Sequence, residues 1–506
     1  MSASQKSILM LGGSRQQVIA IEKAKELGYR TVLCDYLPDN PGQYVADVFY
    51  QESTTNRQRM LEIARRENVS GVLAYSSDPA SPTAGYVAET LGLPTNPLTA
   101  IEAMSEKHLF RAFLKKAGLP CPNAASFSKD ASPEEITELV KGFQFPLVLK
   151  PTDSSGSKGV TVLNDLENLE AAIAHASDFS RNGVLICEEF IQKTFPAVIG
   201  GDIFVIGGQV VFWGLMSCLR DEKLGGLVPT GEKTPSGLSA SQSAAVKEVL
   251  QQLVTALGIR FGELNVEVIL GENGVPYVLE LGSRAGGNMI PVQLSDASGK
   301  DLVAANVLCA MGEDSGDISW DSALCNDVFA TYVLHSGVNG EFCGVDKSAD
   351  ITPYVYREVL YLQPGDEVQA FDGANKALGI EFLHFNSESE MNQFLANPSH
   401  FITINIASDE CRPLGVSANA QPYNAQSCNS HNAANERGNE MTIASLRSAT
   451  KKKEGAVLPC VKISAGGGLN SNISYEIRKP NIYPVHERFS VPNNVALRYG
   501  VVRYVA

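Results

Sequence analysis

Short apolar runs alternate with helical segments over the first hundred residues, and this alternation limits the fold more than any other feature. The run SILMLGGS is followed by RQQVIAIEKAKELGYR, which carries apolar residues at helical spacing and has Gly28 placed to end the helix. TVLCDY, a helical segment near residues 57–67 and the run GVLAYS continue the pattern. Strands that alternate with helices in this way predict a parallel sheet with helices on both faces. We therefore predict an N-terminal α/β domain over residues 1–100.

The glycine turn of this domain does not fit a dinucleotide site. The Rossmann fingerprint requires GxGxxG, whereas residues 12–17 read GGSRQQ. Asp35 lies at about the distance expected of a ribose-binding acid, but the glycines are missing. The turn still precedes a helix, where it could receive a carboxylate or a phosphate.

Composition limits the class of protein. A length of 506 residues predicts about three domains. No apolar run is long enough to span a membrane, and the apolar part of the N-terminus is too short for a signal peptide. Ten cysteines without CxxC pairs predict free thiols in a reducing cytoplasm. The net charge of −15 argues against nucleic-acid binding.

Charge divides the chain near residue 410. Residues 411–506 contain 12 Lys/Arg and 5 Asp/Glu, whereas residues 1–410 contain 29 and 51. The break coincides with the stretch SANAQPYNAQSCNSHNAANERGNE, whose composition is typical of linkers or disorder. We predict that residues 407–506 are a low-complexity linker and a basic tail, in which AVLPCVKIS and GVVRYVA are candidate strands.

Residues 145–160, FPLVLKPTDSSGSKGV, predict two strands around a loop of small residues. The loop does not satisfy the Walker A pattern GxxxxGK[ST]. A hairpin tip of this composition brings backbone N–H groups, hydroxyls and Lys158 together, which suits a phosphate. An ordinary glycine-serine turn is the alternative. Upstream, the sequence predicts a single helix from residue 101 that ends at Gly118.

Two acidic residues interrupt apolar strands further along the chain. Glu267 lies in GELNVEVIL and Glu280 in VPYVLELG, and the turn GENG between them predicts antiparallel pairing. Unpaired carboxylates are expensive to bury, and two of them on one face of a sheet would bind Mg²⁺ through oxygen. A surface ion-pair network is the alternative. Arg284 follows the second strand, in position for an anion, and Glu188-Glu189 end another apolar strand.

Taken in this order, the motifs resemble the ATP-grasp superfamily. The matching segments lie between about Met104 and Asp301 and read SEKHLFRAFLKKAGLPCP, FPLVLKPTDSSGSKGV, CEEFI, GELNVEVIL and VLELGSRAGGNMIPVQLSDASGKDL. With the flanking domains, the resemblance covers about residues 6–406. Arg284 followed by AGGN and IP is most similar to the carboxylate–amine ligase branch, which includes the amino-acid ligases.

The resemblance implies a role for each matching residue toward ATP. The phosphates would be contacted by Lys107 and Lys150, under a mobile flap that consists of Ser154, Ser155, Gly156, Ser157, Lys158 and Gly159. The adenine would be held by Glu188, Glu189 and Ile191, and Mg²⁺ (or Mn²⁺) by Glu267 and Glu280. Catalysis would depend on Lys158 in the flap and on Arg284, which would stabilise an acyl phosphate.

One position departs from the family pattern. Many relatives have Asn two residues after the second metal-binding Glu, where this chain has Gly282. Gly282 has no side chain to coordinate a metal, so either water or Asn288 in the following AGGN turn would supply the oxygen. In the loop after the 198–217 hairpin, Arg220 and Lys223 are either contacts for a carboxylate or solvated charges.

The resemblance also implies a multidomain α/β and α+β architecture. After the N-terminal domain, residues 101–190 would form the small ATP-grasp subdomain with the flap, and residues 191–317 the large subdomain with the Mg/ATP site. Residues 318–406 would form a small α+β subdomain.

The implied activity is that of an ADP-forming ligase. It would activate a small carboxylate as an acyl phosphate and couple it to an amine, with amino acids as candidates for both substrates. The protein would be cytoplasmic and could be a homodimer. A bicarbonate-using carboxylase of the same fold is one alternative. A regulatory protein that binds a nucleotide without turnover is another.

Overall fold

A computed structural model describes residues 5–154, 156, 158–221 and 228–407, together with the backbone of residues 460–463, 474–478 and 488–490. The helices are α1 (Arg15–Glu26), α2 (Arg57–Arg66), α3 (Ser81–Leu91), α4 (Leu98–Ser105), α5 (Lys107–Ala117), α6 (Pro133–Leu139), α7 (Leu169–Asp178), α8 (Ala240–Leu257), α9 (Ile290–Ser298), α10 (Leu302–Ala310) and α11 (Glu388–Ala396). Strands before the tail are β1 (Ser7–Leu11), β2 (Arg30–Asp35), β3 (Val48–Gln51), β4 (Gly71–Leu73), β5 (Ala124–Ser128), β6 (Leu147–Pro151), β7 (Thr161–Leu163), β8 (Val184–Glu189), β9 (Val198–Ile206), β10 (Gln209–Arg220), β11 (Pro229–Thr234), β12 (Phe261–Leu270), β13 (Pro276–Gly282), β14 (Trp320–Asp321), β15 (Val328–Leu334), β16 (Gly340–Lys347), β17 (Val355–Leu360), β18 (Glu367–Val368), β19 (Gly379–Phe385) and β20 (Ile402–Ala407).

The N-terminal sheet is parallel, as predicted, with the strand order β3-β2-β1-β4. Strand β1 is buried along its whole length, as its apolar residues 8–11 lead us to expect. The Asp35 carboxylate at the end of β2 accepts hydrogen bonds from the N–H groups of Gly13 (2.7 Å) and Leu37 (2.9 Å). Asp35 therefore fixes the glycine turn of its own domain.

The single helix predicted upstream of Gly118 is wrong, because the chain breaks at Glu106. This residue is extended (φ −125°, ψ 117°) and separates α4 from α5, which ends at Gly118 in a left-handed conformation, as predicted. The N–H of Lys107 donates to the Thr152 carbonyl at 2.9 Å. A helical periodicity does not reveal this break, because the break depends on a strand end that is distant in sequence.

The segment FPLVLKPTDSSGSKGV forms the predicted pair of strands. Strands β6 and β7 pair antiparallel in a four-stranded sheet of order β5-β8-β6-β7. Strand β8 lies on the other side of β6 and places Glu188 opposite Val148. The base of the loop is therefore fixed in a sheet.

A nine-stranded sheet forms the largest layer, in the order β13-β12-β9-β10-β11-β15-β19-β17, with β14 paired to β10. Strands β9 and β10 form the predicted hairpin with Gly207 and Gly208 at its turn. Strands β12 and β13 pair antiparallel, also as predicted. Strands from both sides of residue 317 belong to this sheet. The predicted segments 191–317 and 318–406 therefore contribute to one sheet, and the domain boundary at residue 317 stays a prediction.

Helices cover both faces of this sheet. Leu250 and Leu253 of α8 pack with Ile203 of β9, whereas Phe204 of β9 packs with Leu294 of α9 on the opposite face. The alternation of neighbouring residues in β9 between two cores is the period-two pattern of a buried strand. The sheet is therefore the rigid support of the cleft described below.

Strands β16, β18 and β20 form a further three-stranded sheet. Described strands beyond residue 411 belong to a separate unit and are antiparallel: β21 (Cys460–Ile463), β22 (Ser474–Arg478) and β23 (Arg488–Ser490). The first of them lies in the predicted AVLPCVKIS segment, whereas GVVRYVA lies outside the described residues.

In the part of the chain that the structure describes, no helix combines the length and apolarity needed to cross a membrane. The seven described cysteines are free thiols, and four of them are buried.

Candidate active site

Two carboxylates face each other on the edge of the nine-stranded sheet. Glu267 of β12 is the direct cross-strand partner of Glu280 of β13, so both side chains lie on one face. Each side chain is 31% exposed. Burial and the Glu280 charge raise the pKa of Glu267. Two like charges in this position are complementary to a cation.

The cations closest to this pair are not in close contact with it. Lys107 Nζ lies 3.7 Å from Glu280 Oε2, and Arg220 Nη2 lies 3.9 Å from Glu267 Oε2. Lys107 Nζ instead donates to the Ser154 carbonyl at 2.7 Å, at the base of the flap. Carboxylate oxygens therefore remain available to a further ligand. Lys223 lies outside the described residues.

The site fits a magnesium ion that is bound by few protein ligands. Within the described residues there is no cluster of three or more His, Cys, Asp or Glu side chains suited to a metal. Mg²⁺ commonly uses one or two carboxylates and completes its shell with water and substrate phosphate. Glu267 and Glu280 satisfy this requirement without a third acid.

Asn288 lies in the AGGN turn after β13, and its ligand role stays a prediction. It has a left-handed backbone (φ 50°) and is 7% exposed. Its N–H donates to Gln16 Oε1 at 2.9 Å, which ties the AGGN turn to the N-terminal domain. Asn288 and Glu267 line a common cavity.

Lys150 belongs to a buried charge triad with Glu188 and Arg111. Lys150 Nζ donates to Glu188 Oε2 at 2.7 Å, and Arg111 Nε lies 2.9 Å from Glu188 Oε1. The side chains are 12%, 4% and 3% exposed in the order Lys150, Glu188, Arg111. Burial alone would raise the pKa of Glu188, but the two cations outweigh it and lower the pKa to about 2. The triad fixes Lys150 at the base of the flap.

The predicted adenine residues lie around the end of β8. The Glu188 carboxylate is held by the triad, whereas Glu189 Oε1 accepts from the N–H of Gln144 at 2.9 Å. Ile191 and both glutamates line one cavity together with Lys107 and Lys150. Their roles toward adenine stay predictions.

The described part of the flap reaches across the cleft. Gly156 and Gly159 have left-handed φ values of 67° and 72°, and a Cβ on Gly156 would meet no atom within 4 Å. Lys158 Cε would lie 3.5 Å from a Cβ placed on Gly373, between β18 and β19. Ser155 and Ser157 lie outside the described residues.

Two cavities meet beneath the flap. The lysine cavity, lined by Lys107 and Lys150, has a volume of about 360 Å³, and the arginine cavity, lined by Arg284 and Asn288, about 300 Å³. Glu267 and Lys158 line both of them. Glu267 and the flap lysine therefore lie between a ligand in one cavity and a ligand in the other.

Arg284 is oriented by an acid from the N-terminal domain. Its Nε and Nη2 donate to Asp78 Oδ1 and Oδ2 at 2.7 and 2.9 Å, a bidentate pair. Burial opposes ionisation of Asp78, but Arg284 outweighs it and lowers the pKa of that carboxyl. A Cβ on Gly282 would lie 3.2 Å from Arg284 Cζ and 3.4 Å from Asp78 Oδ1. The glycine that departs from the family pattern thus leaves room for this pair.

Sequence reasoning missed three charged residues of this region: Arg111, Asp78 and Glu232. Arg111 could have been found from the helical pattern, because it lies on the buried side of α5 beside Phe110. Asp78 follows β4 near the carboxyl end of a parallel sheet, where ligand sites of α/β folds commonly lie. No pattern in the sequence points to Glu232, since its strand PTGEKT shows no apolar periodicity.

Comparison with known proteins identifies the fold that carries this site. Residues 106–316 match the family model described as the ATP-binding domain of the carbamoyl-phosphate synthase L chain. This part of the chain is an ATP-grasp domain. The resemblance predicted from the motifs is confirmed at the level of the superfamily, in which ATP and Mg²⁺ are the usual ligands.

One relative is the uncharacterized protein y4rH of Sinorhizobium fredii, which is 26% identical over 329 residues. The alignment covers 62% of this chain and 64% of that protein. The chain spans only 23% of the length of a carbamoyl phosphate synthase large chain that it also matches.

Solved structures share the fold at low identity. The L-amino acid ligase of Bacillus licheniformis is similar with a TM-score of 0.66 and 19% identity, over 80% of this chain and all of that one. A second similar structure is the biotin carboxylase domain of Hydrogenobacter thermophilus 2-oxoglutarate carboxylase, in complex with MgADP and bicarbonate. Its TM-score is 0.63 and its sequence identity is 17%, over 80% of this chain and 91% of that chain. At this level of identity, both similarities show a shared fold.

Proposed function

We propose that the protein is an ADP-forming ligase that activates a small carboxylate with ATP and couples it to an amine. One observation carries the proposal: Glu267 and Lys158 lie on the wall shared by the lysine and arginine cavities. ATP in the lysine cavity would then present its γ-phosphoryl group to a carboxylate held in the arginine cavity.

The reaction has two steps. A carboxylate oxygen attacks the γ-phosphorus, and the bond between that phosphorus and the β,γ-bridging oxygen breaks to release ADP. The amine then attacks the acyl carbon, and the C–O bond to phosphate breaks, so that phosphate leaves with the electron pair. Phosphoryl transfer depends mainly on positioning and on charge neutralisation.

The residues of the cleft supply those two needs. Lys150, fixed by its triad, and Lys107, at the base of the flap, bind phosphate oxygens. Mg²⁺, bound by Glu267 and Glu280, would neutralise phosphate charge. Arg284, oriented by Asp78, stabilises the acyl phosphate. The similarity to an L-amino acid ligase supports amino acids as one or both substrates.

A carboxylase that uses bicarbonate is the second candidate. It is favoured by the similarity to a biotin carboxylase domain whose structure contains bicarbonate. Such a protein would release ADP in the presence of bicarbonate without any added carboxylic acid. A nucleotide-binding regulatory protein would instead bind ATP and release no phosphate. A homodimer, a cytoplasmic location and the use of Mn²⁺ stay predictions.

The proposal is tested by phosphate release from Mg·ATP over a matrix of amino acids and small carboxylates, with mass spectrometry of the products. An amide product that requires both substrates is expected. Glu280→Gln should lower its rate by about 100-fold or more, because one of two metal carboxylates is lost. Glu138→Gln, on an exposed side chain of α6, is the matched control. Full activity of Glu280→Gln would remove the metal assignment.

A further inference from the structure

Glu232 is a buried acid inside the arginine cavity. It lies on β11 opposite Cys218 of β10, is 2% exposed and lines the same cavity as Glu267 and Arg284. Within the described part of the chain, Oε2 of Glu232 has no hydrogen-bond partner, and the neighbouring Cys218 thiol is at most a weak donor. Burying a carboxylate oxygen without a hydrogen-bond partner costs free energy, so a ligand that pairs with this oxygen would be favoured.

The backbone holds Glu232 in place on both sides. Its N–H donates to Thr331 Oγ1 at 3.0 Å, and its carbonyl accepts from Gln293 Nε2 at 3.2 Å. Gly200 leaves space beside the carboxyl group, because a Cβ there would lie 2.4 Å from Cys218 Sγ and 3.4 Å from Glu232 Oε2. The acid is therefore fixed at a cavity wall that a larger residue at position 200 would crowd.

The charges near Glu232 favour a cation over a second anion. Glu267 and Asp202 are acidic neighbours, whereas Arg220 is a basic one. Burial, followed by the Glu267 charge, raises the pKa of Glu232 to about 8. A base whose pKa lies near the working pH is well matched to proton transfer, since it can both accept and release a proton.

We propose that Glu232 binds the ammonium group of the amine substrate and takes one proton from it. The inference rests on the proposed function and names the position of the second substrate. An alkylammonium ion and the Glu232 carboxylate become a neutral amine and a carboxylic acid. The amine lone pair then forms the C–N bond to the acyl carbon, and phosphate leaves with the electrons of the broken C–O bond. The second proton on nitrogen passes to phosphate or water.

Under this proposal, two charged groups of the arginine cavity bind different substrates. Arg284 serves the carboxylate that becomes the acyl phosphate, and Glu232 serves a primary amine such as the α-ammonium group of an amino acid. A nucleophile that is already unprotonated at neutral pH does not need Glu232 as a base. Hydroxylamine is such a nucleophile, and it converts an acyl phosphate to a hydroxamate.

The test compares hydroxylamine with ordinary amines in the full chain. Wild type and Glu232→Gln receive Mg·ATP, a panel of amino acids and small carboxylates, and either hydroxylamine or a mixture of the standard amino acids. Hydroxamate is measured with ferric ion and amides by mass spectrometry. We expect Glu232→Gln to keep hydroxamate formation within about threefold of wild type and to lose amide formation by about 100-fold or more.

The outcomes separate the two proposals. If wild type forms neither hydroxamate nor amide with any acid, the proposed ligase function fails. If wild type forms both and Glu232→Gln keeps both, or loses both equally, the inference about Glu232 is overturned. Should Glu232→Gln be insoluble, Glu232→Asp replaces it, since it keeps the charge but shortens the side chain. An unchanged ratio of amide to hydroxamate in that variant would likewise overturn the inference.

Discussion

Replacing Glu188 with glutamine tests the buried triad of Lys150, Glu188 and Arg111. The substitution keeps the shape of the side chain and removes the charge that two buried cations share. The pKa of Glu188 falls from an ordinary value of 4.5 to about 2 in the folded chain. That difference corresponds to about 3 kcal/mol, because each pKa unit represents about 1.4 kcal/mol. Breaking a buried ion pair by removing one partner typically costs about 3–5 kcal/mol, which agrees.

The pH dependence of this effect has a definite sign. A carboxyl group whose pKa is lowered by folding stabilises the native state above its unfolded pKa and stops doing so as the pH falls through its folded pKa. For Glu188, the stabilisation is complete above about pH 4.5 and is lost toward about pH 2. The stability difference between wild type and Glu188→Gln should therefore be largest at neutral pH and shrink through that window.

Urea unfolding followed by circular dichroism, at pH 7 and at decreasing pH, measures this difference. Glu138→Gln is the control, because Glu138 is 73% exposed and its pair with Lys141 is worth well under about 1 kcal/mol. Glu188→Gln should also weaken ATP binding, since Lys150 loses the carboxylate that keeps it charged. The reasoning is refuted if Glu188→Gln is no less stable than Glu138→Gln at pH 7, or if the difference persists unchanged on acidification.

Two further substitutions test the parts of the cleft that act on the reacting groups. Asp78→Asn should lower kcat by about 10- to 100-fold and leave the Kd of ATP unchanged, because Arg284 loses its orientation while the lysines do not. Steady-state kinetics with calorimetric binding checks this, and an unchanged kcat would show that Arg284 needs no support from Asp78. Lys158→Ala should lower kcat/KM for ATP by about 100-fold without changing the urea midpoint, since Lys158 reaches across the cleft from the flap. A variant that loses stability instead would place Lys158 among the structural residues.

Much of the fold was predictable because each element carries its own local signal. The hairpin of β9 and β10 was predicted from two apolar runs around Gly207 and Gly208, and the pairing of Glu267 with Glu280 from two strands around a short turn. Strand pairing over a short turn leaves few alternative registers. The acid pair, which is the centre of the site, was therefore visible in the sequence.

The remainder depends on contacts between residues that are distant in the chain. The break at Glu106 follows from the bond of Lys107 to the Thr152 carbonyl, and the orientation of Arg284 follows from Asp78, 206 residues earlier. Neither partner has a local pattern that points to the other. Glu232 is a further case, because only the packing of β11 between β10 and β15 buries it. Periodicity reports burial of apolar faces and gives no information on such polar contacts.

The ion pairs in the cleft differ in the distance between their closest charged atoms, and this distance is related to the role that we propose for each pair. Lys150 with Glu188 and Arg284 with Asp78 are both 2.7 Å apart at their closest atoms. Lys107 with Glu280 and Arg220 with Glu267 are 3.7 and 3.9 Å apart. A short pair fixes the position of the cationic side chain. A long pair leaves carboxylate oxygens that can still coordinate a cation.

Both long pairs line the lysine cavity, where a nucleotide phosphate would enter with its metal. Glu267 and Glu280 repel each other in this arrangement. The pKa of Glu267 is raised by burial and by the charge of Glu280. A divalent cation held by Glu267 and Glu280 would relieve this repulsion. The metal would also reduce the repulsion between the two acids and the nucleotide phosphates, and the phosphates would add negative charge that attracts the metal. Metal and nucleotide would therefore strengthen each other's binding.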